Sequence, residues 1–169
     1  IPETVTETIE LSTDDGYVPI GNDKNQFEGT FDGGNHTINL NLTGERLVGL
    51  FGEGGENSNL CNIRTTGSVS MTGYYAGGIV ANMYGNVVNC HNEAVTGYYH
   101  VGGIVGISDN SKYIINCSNS GAIVGNMNVG GIVGNISTLK VINCLNTGTV
   151  QGDSCGGIAG YSGLYSKIY

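Results

Sequence analysis

The sequence predicts an all-β chain wound as a parallel β-helix, a β-solenoid of about five to six coils with ~27 residues per coil. Three observations carry that expectation. Asn62, Asn89, Asn116 and Asn143 recur at an interval of 27 residues, three times running. A second column, led by glycine, runs beside them: Val48-Gly49-Leu50-Phe51-Gly52, Gly77-Gly78-Ile79-Val80-Ala81, Val101-Gly102-Gly103-Ile104-Val105-Gly106, then 129–134 and 156–160, at spacings of 25 to 29 residues. The third observation is composition: 169 residues contain 30 Gly, 20 Asn, 2 Pro and no Trp, with 39% hydrophobic and only 12% charged side chains. That is too little charge for disorder and enough apolar surface for a long, thin core.

The elements follow in chain order, as one solenoid over residues 1–169. Residues 1–56 form the acidic N-terminal cap and first coils, carrying 11 of the 14 acidic residues against Lys24 and Arg46, a local balance of −9. A charged, irregular first coil blunts an open solenoid end, which otherwise exposes unpaired backbone and core. Residues 57–169 are the repeats. Their short β-branched runs (102–107, 113–116 and 122–124) are strand-length, bounded by Gly, Asn and Ser, and none has a 3.6-residue stripe. Twenty-seven residues fit three strands of about five residues and three turns. A strict column beside a loose one places insertions, and hence loops, between the two.

In such a stack equivalent residues superpose, so Asn62, Asn89, Asn116 and Asn143 are expected to pass amide hydrogen bonds from coil to coil and satisfy groups costly to bury. Asn92, Asn119 and Asn146 repeat the pattern three residues on, with Thr65 in the first copy. Cys90, Cys117 and Cys144 form a further column above Ile63, read as small core hydrophobes with free thiols, because parallel Cβ vectors disfavour disulfides. Cys61 joins the column of Val88, Ile115 and Ile142, while Cys155 stands apart.

A net charge of −8 with six Lys+Arg argues against nucleic acid, whose binding is driven by basic side chains. No apolar run approaches the ~20 residues of a membrane span. The chain opens at Ile1-Pro2-Glu3 without a signal-peptide pattern, and the next Asn rung falls one residue past Tyr169. The expectation is a mature form or a piece of a larger multidomain protein.

The order Tyr17-Val18-Pro19-Ile20-Gly21, Phe27-Glu28-Gly29-Thr30-Phe31-Asp32-Gly33-Gly34, His36-Thr37-Ile38 and Val48-Gly49-Leu50-Phe51-Gly52, followed by repeated Asn-Cys and Val-Gly-Gly-Ile-Val-Gly units, resembles the GLUG-repeat proteins of bacterial surfaces over roughly residues 17–160. The resemblance implies an exported, non-catalytic, right-handed β-helix within an adhesin-like or cell-wall protein, located extracellularly or on the cell surface. Some relatives place such repeats ahead of a zinc peptidase, so an accessory role to a surface peptidase is a further implication. This chain has no His-Glu-x-x-His, and His36, His91 and His100 lack metal-ligand spacing. The copy 89–95 departs from the pattern by lacking the glycine of Gly67, Gly121 and Gly148, and Ala81 replaces a closing glycine.

No catalytic residue, metal or cofactor is expected. Gly152-Asp153-Ser154-Cys155-Gly156 matches Gly-x-Ser-x-Gly, but that motif needs a strand-to-helix turn and a His partner. Cys90 and His91 are strand neighbours and point to opposite faces. A polysaccharide lyase or glycoside hydrolase is the enzymatic alternative, because parallel β-helices often present such sites in a groove on one outer face, but hydrolysis needs paired carboxylates. Beyond residue 56 the acids are only Glu93, Asp109 and Asp153, in different columns. Asp14, Asp15, Asp23, Glu28 and Asp32 read as solvated turn residues rather than Ca²⁺ ligands. Tyr74, Tyr75, Tyr98, Tyr99 and His100 are the candidate contact residues. One Tyr of each pair should stack on its counterpart a coil away, offering ring faces to a glycan or to a host or cell-surface protein.

Overall fold

The computed structural model describes residues 8–93, 95–109, 112–138 and 140–169, and among these every regular element is a strand. All pairings between strands are parallel and join residues 25 to 29 apart, so the chain is a β-solenoid. Coils 2 to 6 each have four faces rather than the three strands expected. Coil 2 shows the order: Thr37–Gly44 on face 1, Leu47–Val48 on face 2, Phe51–Gly54 on face 3 and Asn59–Cys61 on face 4. Face 4 holds six strands, one per coil, and face 1 holds nine because its strand splits in two from coil 4 onward, as at His91–Asn92 and Val95–Thr96. The run expected as one strand at 102–107 is likewise bent at Gly103-Ile104 into His100–Gly102 and Val105–Ser108.

The strict and loose columns have a simple origin. From coil 2 onward, register on face 4 and at the start of face 1 advances by 27 residues, as in Asn59 to Asn86 to Tyr113 to Lys140. On faces 2 and 3 it varies from 25 to 29 residues, because the split within face 1 and the corners that follow it change length. The connection from face 1 to face 2 takes two residues after Gly44, three after Met71 and four after Val124.

The strict corner, from face 4 to face 1, is where the asparagines sit, and here the expectation needs correcting. Asn62, Asn89, Asn116 and Asn143 all have positive φ, between 50° and 55°. Asn is the side-chain-bearing residue that best tolerates this left-handed bend. Three of the four are exposed, and Asn62 is half-buried. Their amides do bond between coils: Asn89 Nδ2 donates to Asn62 Oδ1 at 3.3 Å and Asn143 Nδ2 to Asn116 Oδ1 at 2.7 Å. Asp32 receives Asn62 Nδ2 at 3.0 Å and the Gly34 N–H at 2.9 Å, which hold its carboxyl below the usual range.

The buried ladder is the second column. Thr65 Oγ1 donates to Asn92 Oδ1 at 2.9 Å, Asn92 Nδ2 to Asn119 Oδ1 at 3.0 Å, and Asn119 Nδ2 to Asn146 Oδ1 at 2.8 Å. The remaining amide protons of Asn119 and Asn146 reach the carbonyls of Gly121 and Gly148. Leaving one such amide unpaired costs about 1–3 kcal/mol, so the rungs fix coil register. The position in copy 89–95 that lacks the glycine is Ala94, outside the described residues.

The double glycines explain how this ladder fits. A Cβ on Gly103 would lie 2.8 Å from Asn119 Cγ and against the Gly131 carbonyl; Gly78 and Gly131 face Asn92 and Asn146 in the same way. The glycine one residue earlier does a different job. A Cβ on Gly102 would meet the Val105 carbonyl and, at 2.7 Å, the Gly134 nitrogen, so faces 2 and 3 fold tightly against each other there.

Inside, the core is stacked in files: Leu60, Val87, Ile114 and Val141; Ile79, Ile104 and Ile132; Ile63 under Cys90, Cys117 and Cys144. All five cysteines are free. Cys90 and Cys117 are buried, and Cys144 is half-buried. Its thiol is pushed up by contact with the Cys117 thiol and by burial. At the N-terminal end Phe51 is flanked by Phe27 at 5.0 Å and Phe31 at 5.3 Å, and Tyr17 donates to the Leu50 carbonyl at 2.5 Å. The acidic segment therefore covers the core with aromatic rings beneath its charged surface.

Candidate functional site

The expected contact residues gather at the corner from face 1 to face 2 and in the first residues of face 2. Register sets two adjacent columns there. Leu47 pairs with Tyr75, Tyr75 with His100, and Val101 with Val129. The outward column of face 2 is therefore Leu47, Tyr75, His100 and Asn128, and the corner column one residue earlier is Arg46, Tyr74, Tyr99 and Met127. The step from Tyr75 is 25 residues rather than 24, so the pairing differs from the expected one. Tyr74 stacks on Tyr99, with centroids 5.9 Å apart and planes at 17°, and Tyr75 stacks on His100 at 5.3 Å and 25°. Tyr98 stands edge-on to Tyr99 at 4.9 Å and 82°. Hydrogen bonds fix the corners: Tyr75 N–H donates to the Arg46 carbonyl, Tyr99 N–H to Gly73, and the Asn126 and Met127 N–H groups to Tyr98.

Stacking along the axis has a chemical consequence. Tyr74 and Tyr99 cover each other's facing sides, so the row does not offer a ring face at every coil. The free side of Tyr74 is the one toward coil 2, where the corner column holds Arg46. A cleft of about 310 Å³ lies there, lined by Arg46, Tyr74 and Tyr75. A second cleft of about 260 Å³ is lined by Pro19, Asp23, Thr43, Glu45, Arg46 and Leu47 among others, so Arg46 borders both. The guanidinium is exposed and 3.7 Å from the Asp23 carboxylate. Tyr74 and Tyr98 are 57% and 47% exposed, whereas Tyr75, Tyr99 and His100 are half-buried.

His100 is locked in place. Its Nδ1 lies 3.0 Å from Asn128 Nδ2 and 3.3 Å from Asn135 Nδ2. Two amide donors converging on Nδ1 leave the ring proton on Nε2. Burial lowers the His100 pKa, against the opposing charge of Asp109, so the ring is neutral at pH 7. Tyr75 is raised by burial first, then by Asp109, Tyr84 and Tyr74, and it keeps its phenolic proton. The site thus offers neutral donors, one guanidinium and aromatic carbon.

The other sequence candidates do not join it. Cys90 points into the core while His91 faces outward, with Nδ1 2.8 Å from Ser118 Oγ. Ser154 lies in the corner before the strand Cys155–Gly156, whose residues pair with Val129 and Gly130. Glu93 follows the face 1 strand His91–Asn92, Asp109 follows the face 3 strand Val105–Ser108, and Asp153 lies in the corner between faces 1 and 2 of coil 6. No group of three or more His, Cys, Asp or Glu able to hold a metal ion occurs among the described residues. Sequence reading missed Arg46. Its signal was positional: Arg46-Leu47 stands at the same distance before Val48-Gly49 as Tyr74-Tyr75 does before Ala76-Gly77. Compared with known proteins, the chain matches no protein-family model, no curated protein and no solved structure.

Proposed function

We propose that this chain is a non-catalytic adhesion or spacer module of a bacterial surface or secreted protein of the GLUG-repeat type, and that it contacts a glycan through the corner of coils 2 to 4. The observation that carries the reading is the aromatic corner itself: four tyrosines and His100 packed on one another, two of the rings about half exposed, beside two clefts. Stacking alone contributes a few tenths to about 1 kcal/mol and does not require exposed rings. Rings with phenolic donors suit sugars, whose C–H faces pack on aromatic carbon while hydroxyls find hydrogen bonds. The solenoid would act mechanically, as a stiff rod that holds its variable corners in fixed order.

The test is a glycan array probed with the intact chain and with a Tyr74→Ala, Tyr99→Ala double variant. The variant is expected to lose retention with a melting temperature within about 5 °C of the parent. Unchanged retention with a large fall in melting temperature would make the stack purely structural and end the binding reading.

A further inference from the structure

Resting on the glycan reading above, we infer that the cleft between Arg46 and the free faces of Tyr74 and Tyr75 seats one ring of an uncharged glycan, whose chain continues past Arg46 into the neighbouring cleft. Three observations carry it. The first is an interrupted stack. Tyr99 occupies one side of Tyr74, whereas on the other side the register position belongs to Arg46, whose guanidinium is drawn toward Asp23. A cleft of about 310 Å³ remains where the next ring of the column would lie. A pyranose laid there continues the stack and meets donors on its rim: the guanidinium on one side and the phenols on the other.

The second observation gives direction. The 260 Å³ cleft lies on the coil 1 and 2 side of Arg46, lined by Pro19, Asn22, Asp23 and Glu45, so the two clefts follow one another from coil 3 to coil 1.

The third observation selects the chemistry. Arg46 sits between Glu45 and Asp23 in a segment with a balance of −9, so an anionic polymer meets net repulsion there. A cationic sugar would gain from that field but would meet the guanidinium within the cleft. Hydroxyls avoid both penalties: they accept from Arg46 and donate to Asp23 or Glu45.

The experiment is calorimetric titration of the intact chain with three oligomers of four residues: a β-1,4-glucan, a galacturonan and a deacetylated glucosamine oligomer. Tyrosine proton shifts are followed by NMR in parallel. The glucan is expected to bind and to shift Tyr74 and Tyr75. Arg46→Ala is expected to weaken it about tenfold, while Tyr161→Ala, an exposed ring on the last coil away from the cleft, changes affinity less than about twofold. Arg46 is largely exposed, so its removal leaves the fold intact. Tighter binding of galacturonan or glucosamine oligomer than of glucan would overturn the charge argument yet leave a glycan-binding module. Glucan binding that ignores Arg46→Ala and vanishes in Tyr161→Ala would move the seat out of the cleft. Failure of all three oligomers, with no retention on the array, would instead remove the underlying reading.

Discussion

Asparagine does two unrelated jobs three residues apart. In the outer column it is chosen for the backbone, since φ near +50° costs other non-glycine residues about 1–2 kcal/mol. In the inner column it is chosen for its side chain, because a buried rung needs a donor and an acceptor at once. Substitutions should separate the two. Asn116→Gly is expected to be nearly neutral and Asn116→Ala to cost about 1 kcal/mol, whereas Asn119→Ala, which strands groups on Asn92 and Asn146, should cost roughly 2–4 kcal/mol. Urea midpoints measure this directly; equal losses for alanine at 116 and 119 would refute the division of labour. Both periods were visible in the sequence. Which column was buried was not, because a 27-residue interval reports superposition and says nothing of the side on which a residue lies.

At the scale of the element, the bend at Gly-Gly joins two layers of packing. Its first glycine lets faces 2 and 3 close on each other, and its second clears room for the inner ladder, so the glycine and asparagine columns are one structural device. The last coil supplies an internal control. Gly157 occupies the position of Gly103 two coils further on, yet a Cβ there meets nothing within 4 Å. Gly103→Ala should therefore cost about 2 kcal/mol or more, since backbone and a ladder amide must move, while Gly157→Ala stays within about 0.5 kcal/mol. Thermal unfolding of the pair decides it, and similar losses would mean that the bend, not the close approach, demands glycine. The sequence showed the glycines and placed insertions between the columns, but it gave three strands per coil. Strands of two to four residues on faces 2 to 4 are too short for alternation to mark the corners between them.

For the whole molecule, the half-buried histidines tie stability to pH. Burial lowers His91 and His100, with Arg64 adding to the effect at His91 and Glu93 and Asp109 opposing it. A folded pKa below the unfolded value means that the unfolded chain binds more protons. The contribution is therefore complete above about pH 6.5 and is lost as pH falls through the folded pKa. Asp32 acts in the same direction in a lower window, below its ordinary value of about 3.9. Melting temperature should fall between pH 7 and pH 5, and His100→Gln should reduce that slope without abolishing it; a flat profile in the parent would contradict the assignment. The chain by itself determined the parallel winding, the 27-residue rise, the superposed columns and the corner where tyrosines collect, because a repeat that must pair with its own copy writes its period into every rung. Only the tertiary structure decided which amides are buried, that Tyr75 meets His100 rather than Tyr99, and that Arg46 closes a cleft over Tyr74. Those outcomes depend on corners that gain or lose single residues, and one residue is enough to shift which side chains share a rung.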